Sequence, residues 1–152
     1  MTDTYGTTLS ELRREIFDGG ARSNVIDQHL EKLVEYFDQN ITLDLLLLLS
    51  DAAEHDEGMF SIIHAAEAAD DEEYVRALLA AFADMMRSAP RWASIVLMRA
   101  LNSRSTQLEL VKQLRGAPLR TKESVNEMCE RINGVSPEFL SKTVPVTLAA
   151  RT

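Results

Sequence analysis

Carboxylates are concentrated in one stretch of the chain, residues 51–75, with the sequence DAAEHDEGMFSIIHAAEAADDEEYV. The stretch holds nine acidic side chains and no lysine or arginine, and it includes His55 and His64. Converging carboxylates can bind a hard cation, and a histidine adds a ligand that suits transition metals. A histidine beside a carboxylate can also act as a general acid or base. Alternatively, the stretch forms a solvated face or a negative surface for a basic partner.

The spacing of these residues does not match known metal sites. The calcium-loop pattern D-x-[DN]-x-[DN]-G and the zinc pattern H-E-x-x-H are both absent. A di-metal site in a helical bundle needs two Glu-x-x-His pairs, whereas His64 and Glu67 stand in the reverse order and occur once. We therefore predict no metal, no cofactor and no catalytic residue. A small helical metalloenzyme that uses the 51–73 carboxylates with His64 stays open as an alternative.

Helix starts account for some of the acidic residues in the stretch. Asp56 is predicted to cap one helix and Asp70 or Asp71 the next, because carboxylates accept from free backbone N–H groups there. Caps do not explain why lysine and arginine are missing, since an i,i+4 ion pair would stabilise a helix. The pattern therefore favours an interaction surface. The residues predicted to form it are Asp51, Glu54, His55, Asp56, Glu57, Asp70, Asp71, Glu72 and Glu73.

The elements that position these residues are predicted to be helices. Apolar residues recur at helical spacing through most of the chain, and only 6 glycines and 4 prolines occur in 152 residues. Two helices are predicted within residues 1–40, the first of them opened by a capping box of Thr8 and Glu11. A frayed tail is predicted from Pro145, covering residues 145–152. The sequence thus predicts an all-α protein with a single helical domain over residues 1–152.

Two arrangements of the helices are compatible with the sequence. From residue 57 the predicted helices pair as 57–69 with 71–87, 90–102 with 104–115, and 121–133 with 137–143. The pairs begin roughly every 30 residues, which is typical of helical-hairpin repeats, although they share no repeated motif. Both a helical bundle and a short curved stack of helical hairpins therefore remain possible.

The distribution of charge limits the classes of partner. The net charge is −8, and residues 1–87 carry 19 acidic and 6 basic side chains. This acidic part would repel phosphates, so we predict no direct binding of nucleic acid there. The apolar segment 41–49 is too short to span a membrane. The single cysteine, Cys129, is predicted to be buried and inert, and one cysteine without a secretion signal indicates a cytoplasmic protein.

Three segments carry a resemblance to a known family. DEGMFSIIHAAE, YVRALL and PRWASIVLMRALNS, within residues 45–115, are similar to the bacterial polymorphic-toxin immunity proteins of the immunity protein 30 type. The segment SPEFLSKTV near the C-terminus also fits. The resemblance implies an all-helical binding protein that is not an enzyme. Such a protein neutralises a cognate secreted or contact-delivered toxin, as in contact-dependent growth inhibition.

The resemblance also implies a partner, the C-terminal domain of the cognate toxin. Many such toxins are nucleases, and nuclease domains are commonly basic because they bind phosphates. The acidic residues would then form the contact surface. No membrane partner is expected, because the segment 41–49 is too short to span a membrane. A helical-repeat adaptor for another protein is a further alternative, since it too would lack a reactive pocket.

Overall fold

A computed structural model describes residues 4–36 and 40–152. Any feature predicted for residues 1–3 and 37–39 lies outside the described residues. In the described part of the chain the elements are, in order, α1 (Thr4–Asp18), α2 (Ser23–Leu33), α3 (Ile41–Leu46), α4 (Asp56–Glu67), α5 (Asp71–Ser88), α6 (Pro90–Asn102), α7 (Arg104–Leu114), α8 (Leu119–Val135), a 3₁₀ turn (Pro137–Phe139) and α9 (Leu140–Ala150).

The predicted all-α fold is confirmed. Of the described residues 80% are helical, and none of them lies in a strand. It divides into two compact units, Met1–Ala69 and Asp70–Thr152, of which the first contains α1 to α4 and the second α5 to α9. The single domain over residues 1–152 stays a prediction. Of the helices described, none combines the length and the apolar character needed to cross a membrane.

The first unit is built around α2 and α4. Helix α1 packs on α2, and α4 packs on both α2 and α3. Leu12 and Ile16 of α1 and Ile26 of α2 are almost completely buried, as their helical spacing predicts. The hydroxyl of Tyr5 donates a hydrogen bond of 2.6 Å to Oδ2 of Asp44, and this bond links α1 to α3.

Helix α5 is central to the second unit. It packs against α6, α7 and α8, and α9 covers α7 and α8. Leu78 and Phe82 of α5 and Trp92 of α6 are fully buried. Cys129 of α8 is also fully buried, as predicted, and burial raises the pKa of its thiol to about 12. Since the thiolate is the reactive form, this cysteine is inert at neutral pH.

The frayed tail predicted from Pro145 is wrong, because α9 continues through this residue to Ala150. A proline inside a helix removes one backbone hydrogen bond and costs about 3 kcal/mol. In α9 this cost is offset by burial, since Thr143, Val146 and Ala149 are buried and the helix packs on α7 and α8. Tertiary packing therefore decides the conformation of the C-terminal segment.

Two of the predicted helix starts are wrong and one is confirmed. Helix α1 begins four residues before Thr8, whose hydroxyl donates to the carbonyl at that first position. Asp56 is the first residue of α4 rather than its N-cap; the N-cap position belongs to His55, which makes no side-chain cap bond. At α5 the prediction is confirmed, because Oδ1 of Asp70 accepts a hydrogen bond of 2.9 Å from the backbone N–H of Glu73.

Candidate functional site

The first acidic segment lies in the first unit and consists of Asp51, Glu54, His55, Asp56 and Glu57. It belongs to the connection between α3 and α4 and to the first turn of α4, and all five residues are exposed. Asp56 and Glu57 occupy the first helical turn. Negative charge is favourable there because the N-terminus of a helix carries a partial positive charge. The helix therefore stabilises two of these carboxylates while leaving them open to solvent.

Glu54 lies against the turn that joins α1 to α2. Gly20 in this turn has a φ angle of +86°, and a Cβ atom built on it would lie 2.8 Å from Oε2 of Glu54. The next residue, Ala21, also has a positive φ, of 58°, which is uncommon for a residue with a side chain. The first acidic segment and this turn are thus direct neighbours. His55 lies 4.0 Å from Glu54, and the exposure of both side chains makes this a weak pair.

Gly58 fixes the distance between α4 and the same turn. A Cβ atom at Gly58 would lie 2.3 Å from the carbonyl oxygen of Ala21 and 2.6 Å from Cδ1 of Ile26. Because the nearest obstacle is a backbone atom, no side chain at this position fits without a shift of the backbone. The first turn of α4, with its two carboxylates, is therefore positioned by a glycine.

The second acidic segment lies in the second unit and consists of Asp70, Asp71, Glu72 and Glu73 at the start of α5. Asp70 is the helix cap described above. Oδ1 of Asp71 accepts a hydrogen bond of 2.8 Å from Oγ1 of Thr106, which attaches the start of α5 to α7. Glu72 and Glu73 are exposed. Two of the four carboxylates thus have structural roles, and the other two face solvent.

Arg76, which follows the second acidic segment in α5, neutralises part of the negative charge of that segment. Its Nη2 atom lies 3.4 Å from Oε1 of Glu72, one helical turn earlier. Both side chains are about two thirds exposed, at 66% and 70%. Pairs of this kind contribute at most about 1 kcal/mol, so Glu72 is only weakly held.

The acidic side chains of these segments do not converge into a metal-binding cluster among the described residues. In residues 4–36 and 40–152, no three or more His, Cys, Asp or Glu side chains are placed to hold a metal ion. His55 and His64 are both exposed. Both histidine side chains are therefore accessible to a partner.

A charged pair that sequence reasoning missed joins the end of α1 to the residue that precedes α2. The carboxylate of Glu15 is buried and accepts three hydrogen bonds from Arg22, from the backbone N–H at 2.9 Å, from Nε at 3.1 Å and from Nη2 at 2.7 Å. These bonds lower the pKa of Glu15. One sequence feature could have indicated this burial: Glu15 falls beside Leu12 and Ile16 on the buried face of α1. The pair shapes the turn that Glu54 contacts.

This pair predicts a pH-dependent contribution to stability. A carboxyl group whose pKa is lowered on folding stabilises the folded state above its unfolded pKa, and the contribution is lost as the pH falls through the folded pKa. We expect Glu15→Gln to lower the urea midpoint of unfolding at pH 7. The difference from the parent protein should shrink as the pH falls below about 4.5, the ordinary value of such a group. Equal differences at pH 7 and pH 3.5 would contradict the assignment.

Comparison with known proteins identifies one family. A family model described as Immunity protein 30 matches residues 15–110, which is more than half of the 152 residues. The matched range contains both acidic segments, Gly58 and the Glu15–Arg22 pair. It also extends from the segments quoted above into α1. No curated protein and no solved structure matches the chain.

Proposed function

Because the chain belongs to the immunity protein 30 family, we propose that it binds the toxic domain of a cognate bacterial toxin and neutralises it. The family match over residues 15–110 is the observation that carries this proposal. The toxin is a secreted or contact-delivered protein whose C-terminal domain carries the activity. The chain acts in the cytoplasm as a stoichiometric inhibitor and not as an enzyme.

The two acidic segments are the proposed contact surfaces. Most of their carboxylates are exposed, and the protein as a whole has a net charge of −8. A basic toxin domain would be attracted over roughly 8 Å, the screening length at physiological salt. Nuclease domains are basic because they bind phosphates, so a nuclease is the toxin class that this charge supports best.

The residues of the two segments are expected to contribute unequally. Asp70 and Asp71 accept hydrogen bonds that stabilise the start of α5, so their replacement would affect folding as well as binding. Glu54, Glu57 and Glu73 are exposed and are the proposed principal contacts. Removing a carboxylate that is desolvated against a basic side chain of the partner costs more binding free energy than removing an exposed one. The reason is that the buried charge of the partner is left unpaired.

The proposal is tested with the toxin domain encoded immediately beside the gene. We expect the toxin domain alone to arrest growth, and co-expression of the chain to restore it. In vitro, titration of the purified toxin should reach full inhibition at one equivalent of the chain, with a stable complex on size-exclusion chromatography. Inhibition by catalytic amounts would indicate an enzyme. Persistent growth arrest, or no complex with the toxin, would contradict the immunity function.

A further inference from the structure

Two adjacent glycines stand in the turn of residues 19–22, and each of them lies against a carboxylate. A Cβ atom built on Gly19 would lie 2.5 Å from Oε1 of Glu15. A Cβ atom built on Gly20 would lie 2.8 Å from Oε2 of Glu54. Both distances are too short for a contact between a carbon and an oxygen atom. Glycine at both positions therefore lets two carboxylates approach the backbone of the turn closely.

The two carboxylates differ in what they are free to bind. Glu15 is 6% exposed, and its carboxylate accepts the three hydrogen bonds from Arg22 described above. The side chain of Glu54 is 71% exposed, and its ion-pair neighbour is His55 at 4.0 Å. Among the described residues, no lysine or arginine forms an ion pair with Glu54. Glu15 thus belongs to the fold, whereas the carboxylate of Glu54 is available to a partner.

Glu15 and Arg22 fix the backbone of the turn. The carbonyl oxygen of Glu15 accepts hydrogen bonds from the backbone N–H groups of Gly19 and Ala21, at 3.0 and 2.9 Å. Its side chain accepts a further bond of 2.9 Å from the backbone N–H of Arg22. Gly20 and Ala21 both have positive φ angles, of 86° and 58°. Such backbone persists where surrounding bonds determine it, and three of these bonds end at one residue.

The turn also contacts the segment of residues 54–58 at both of its ends. Glu54 lies against Gly20, and Gly58 lies against the carbonyl oxygen of Ala21. Two consecutive residues of the turn therefore meet the two ends of this segment. A shift of the turn would move the exposed carboxylate at one end and the start of α4 at the other.

We propose that the turn of residues 19–22 positions the carboxylate of Glu54 for contact with a basic side chain of the toxin, with Gly20 as the positioning residue. This inference rests on the proposed function. Packing against Gly20 restricts the side chain of Glu54 in the free protein. A side chain that is already ordered loses less conformational entropy on binding, and affinity rises accordingly.

A double-mutant cycle of Gly20→Asn and Glu54→Gln in the full chain tests the proposal, with the Kd for the adjacent-gene toxin domain as the readout. Asparagine tolerates a positive φ better than most residues, while its Cβ atom displaces the flexible end of Glu54. We expect each single variant to bind about ten-fold more weakly. The double variant should bind no more weakly than Glu54→Gln alone, because no carboxylate is left to position. A purely structural role of Gly20 would make the two losses additive.

A second cycle replaces Gly20→Asn by Arg22→Gln. This variant removes the guanidinium but keeps the backbone N–H that bonds to Glu15. We expect binding weakened several-fold, again without further loss in the Glu54→Gln background. Arg13→Gln removes the same charge from an exposed position of α1, and Gly134→Asn adds a side chain where a Cβ atom meets nothing within 4 Å. Both of these controls should keep the affinity of the parent protein.

The outcomes separate this proposal from the immunity function. Additive losses in the Gly20 cycle would overturn the positioning role, and the Arg22 cycle decides if Gly20→Asn does not fold. Unchanged affinity of Glu54→Gln, with tight binding of the parent protein, would overturn the positioning role and leave the immunity function intact. No binding by the parent protein would contradict the immunity function and this inference with it.

Discussion

Replacing Gly58 with alanine is expected to destabilise the protein by about 3 kcal/mol, the upper part of the range for overpacked sites. The added Cβ atom would lie 2.3 Å from the carbonyl oxygen of Ala21, which belongs to a turn with two residues at positive φ. A backbone oxygen in such a turn cannot rotate away as a flexible side chain can. For a protein of this size the loss corresponds to roughly 10 °C in melting temperature, measured by circular dichroism.

Gly134 provides the matched control for this substitution. It also lies in a helix, α8, but a Cβ atom built on it would meet no other atom within 4 Å. Alanine is favoured over glycine in a helix by roughly 0.5–1 kcal/mol, so Gly134→Ala should raise the melting temperature slightly. If the two alanine variants had the same stability, the close approach of α4 to the turn would be refuted.

The sequence predicted the fold class because helical periodicity is a local property. Leu12 and Ile16, and Leu78 and Phe82, are spaced for one face of a helix, and all four are buried. The cap of α5 was also predictable, since Asp70 stands directly before a helical pattern and bonds within its own turn. In both cases the residues that decide the structure are neighbours along the chain.

The features that escaped prediction depend on contacts between distant segments. Thr8 fits a capping box, yet α1 begins four residues earlier, and Thr8 is buried within it. Pro145 predicts an end to helical structure, yet packing of Val146 on the second unit's other helices keeps α9 intact. The sequence also does not predict the groove that lies between residues 90–98 of α6 and residues 128–136 at the end of α8. The residues of its two walls are about 40 positions apart in the chain.

The sequence indicated which acidic residues could form the candidate site, but not the contacts that each of them makes. Most carboxylates of the two acidic segments are exposed, and the sequence could suggest this exposure only through the number of acidic residues. The roles of single residues needed the structure: Asp71 bonds to Thr106, and Glu54 lies against the turn at Gly20. The buried pair of Glu15 and Arg22, which shapes that turn, was missed because Glu15 directly follows Arg13 and Arg14 and so resembles a surface residue in the sequence.

The second large effect is expected on the rate at which the protein associates with the toxin domain. Glu54→Lys with Glu57→Lys reverses two exposed charges of the first acidic segment, and neither side chain caps a helix. Exposed charges at an interface act mainly on the association rate, whereas desolvated pairs act on dissociation. We expect association to slow by about ten-fold at low salt and by less at high salt, since screening weakens the attraction.

The control variant for this experiment carries the same change in charge within the same unit. Glu31 and Glu35 are exposed and lie outside the first acidic segment, so Glu31→Lys with Glu35→Lys alters the net charge equally. A general effect of net charge would slow both variants to the same extent. A specific contact would slow the Glu54 and Glu57 variant much more.

The most direct test of toxin neutralisation through the acidic segments is the binding kinetics of the Glu54→Lys, Glu57→Lys variant with the cognate toxin domain. It is measured by surface plasmon resonance at 50 mM and 500 mM NaCl, after an unchanged melting temperature has been established. We predict slower association with a reduced salt dependence, and loss of protection in cells that express the toxin. Wild-type rates at both salt concentrations, with full protection of those cells, would contradict the role of the first acidic segment in neutralisation.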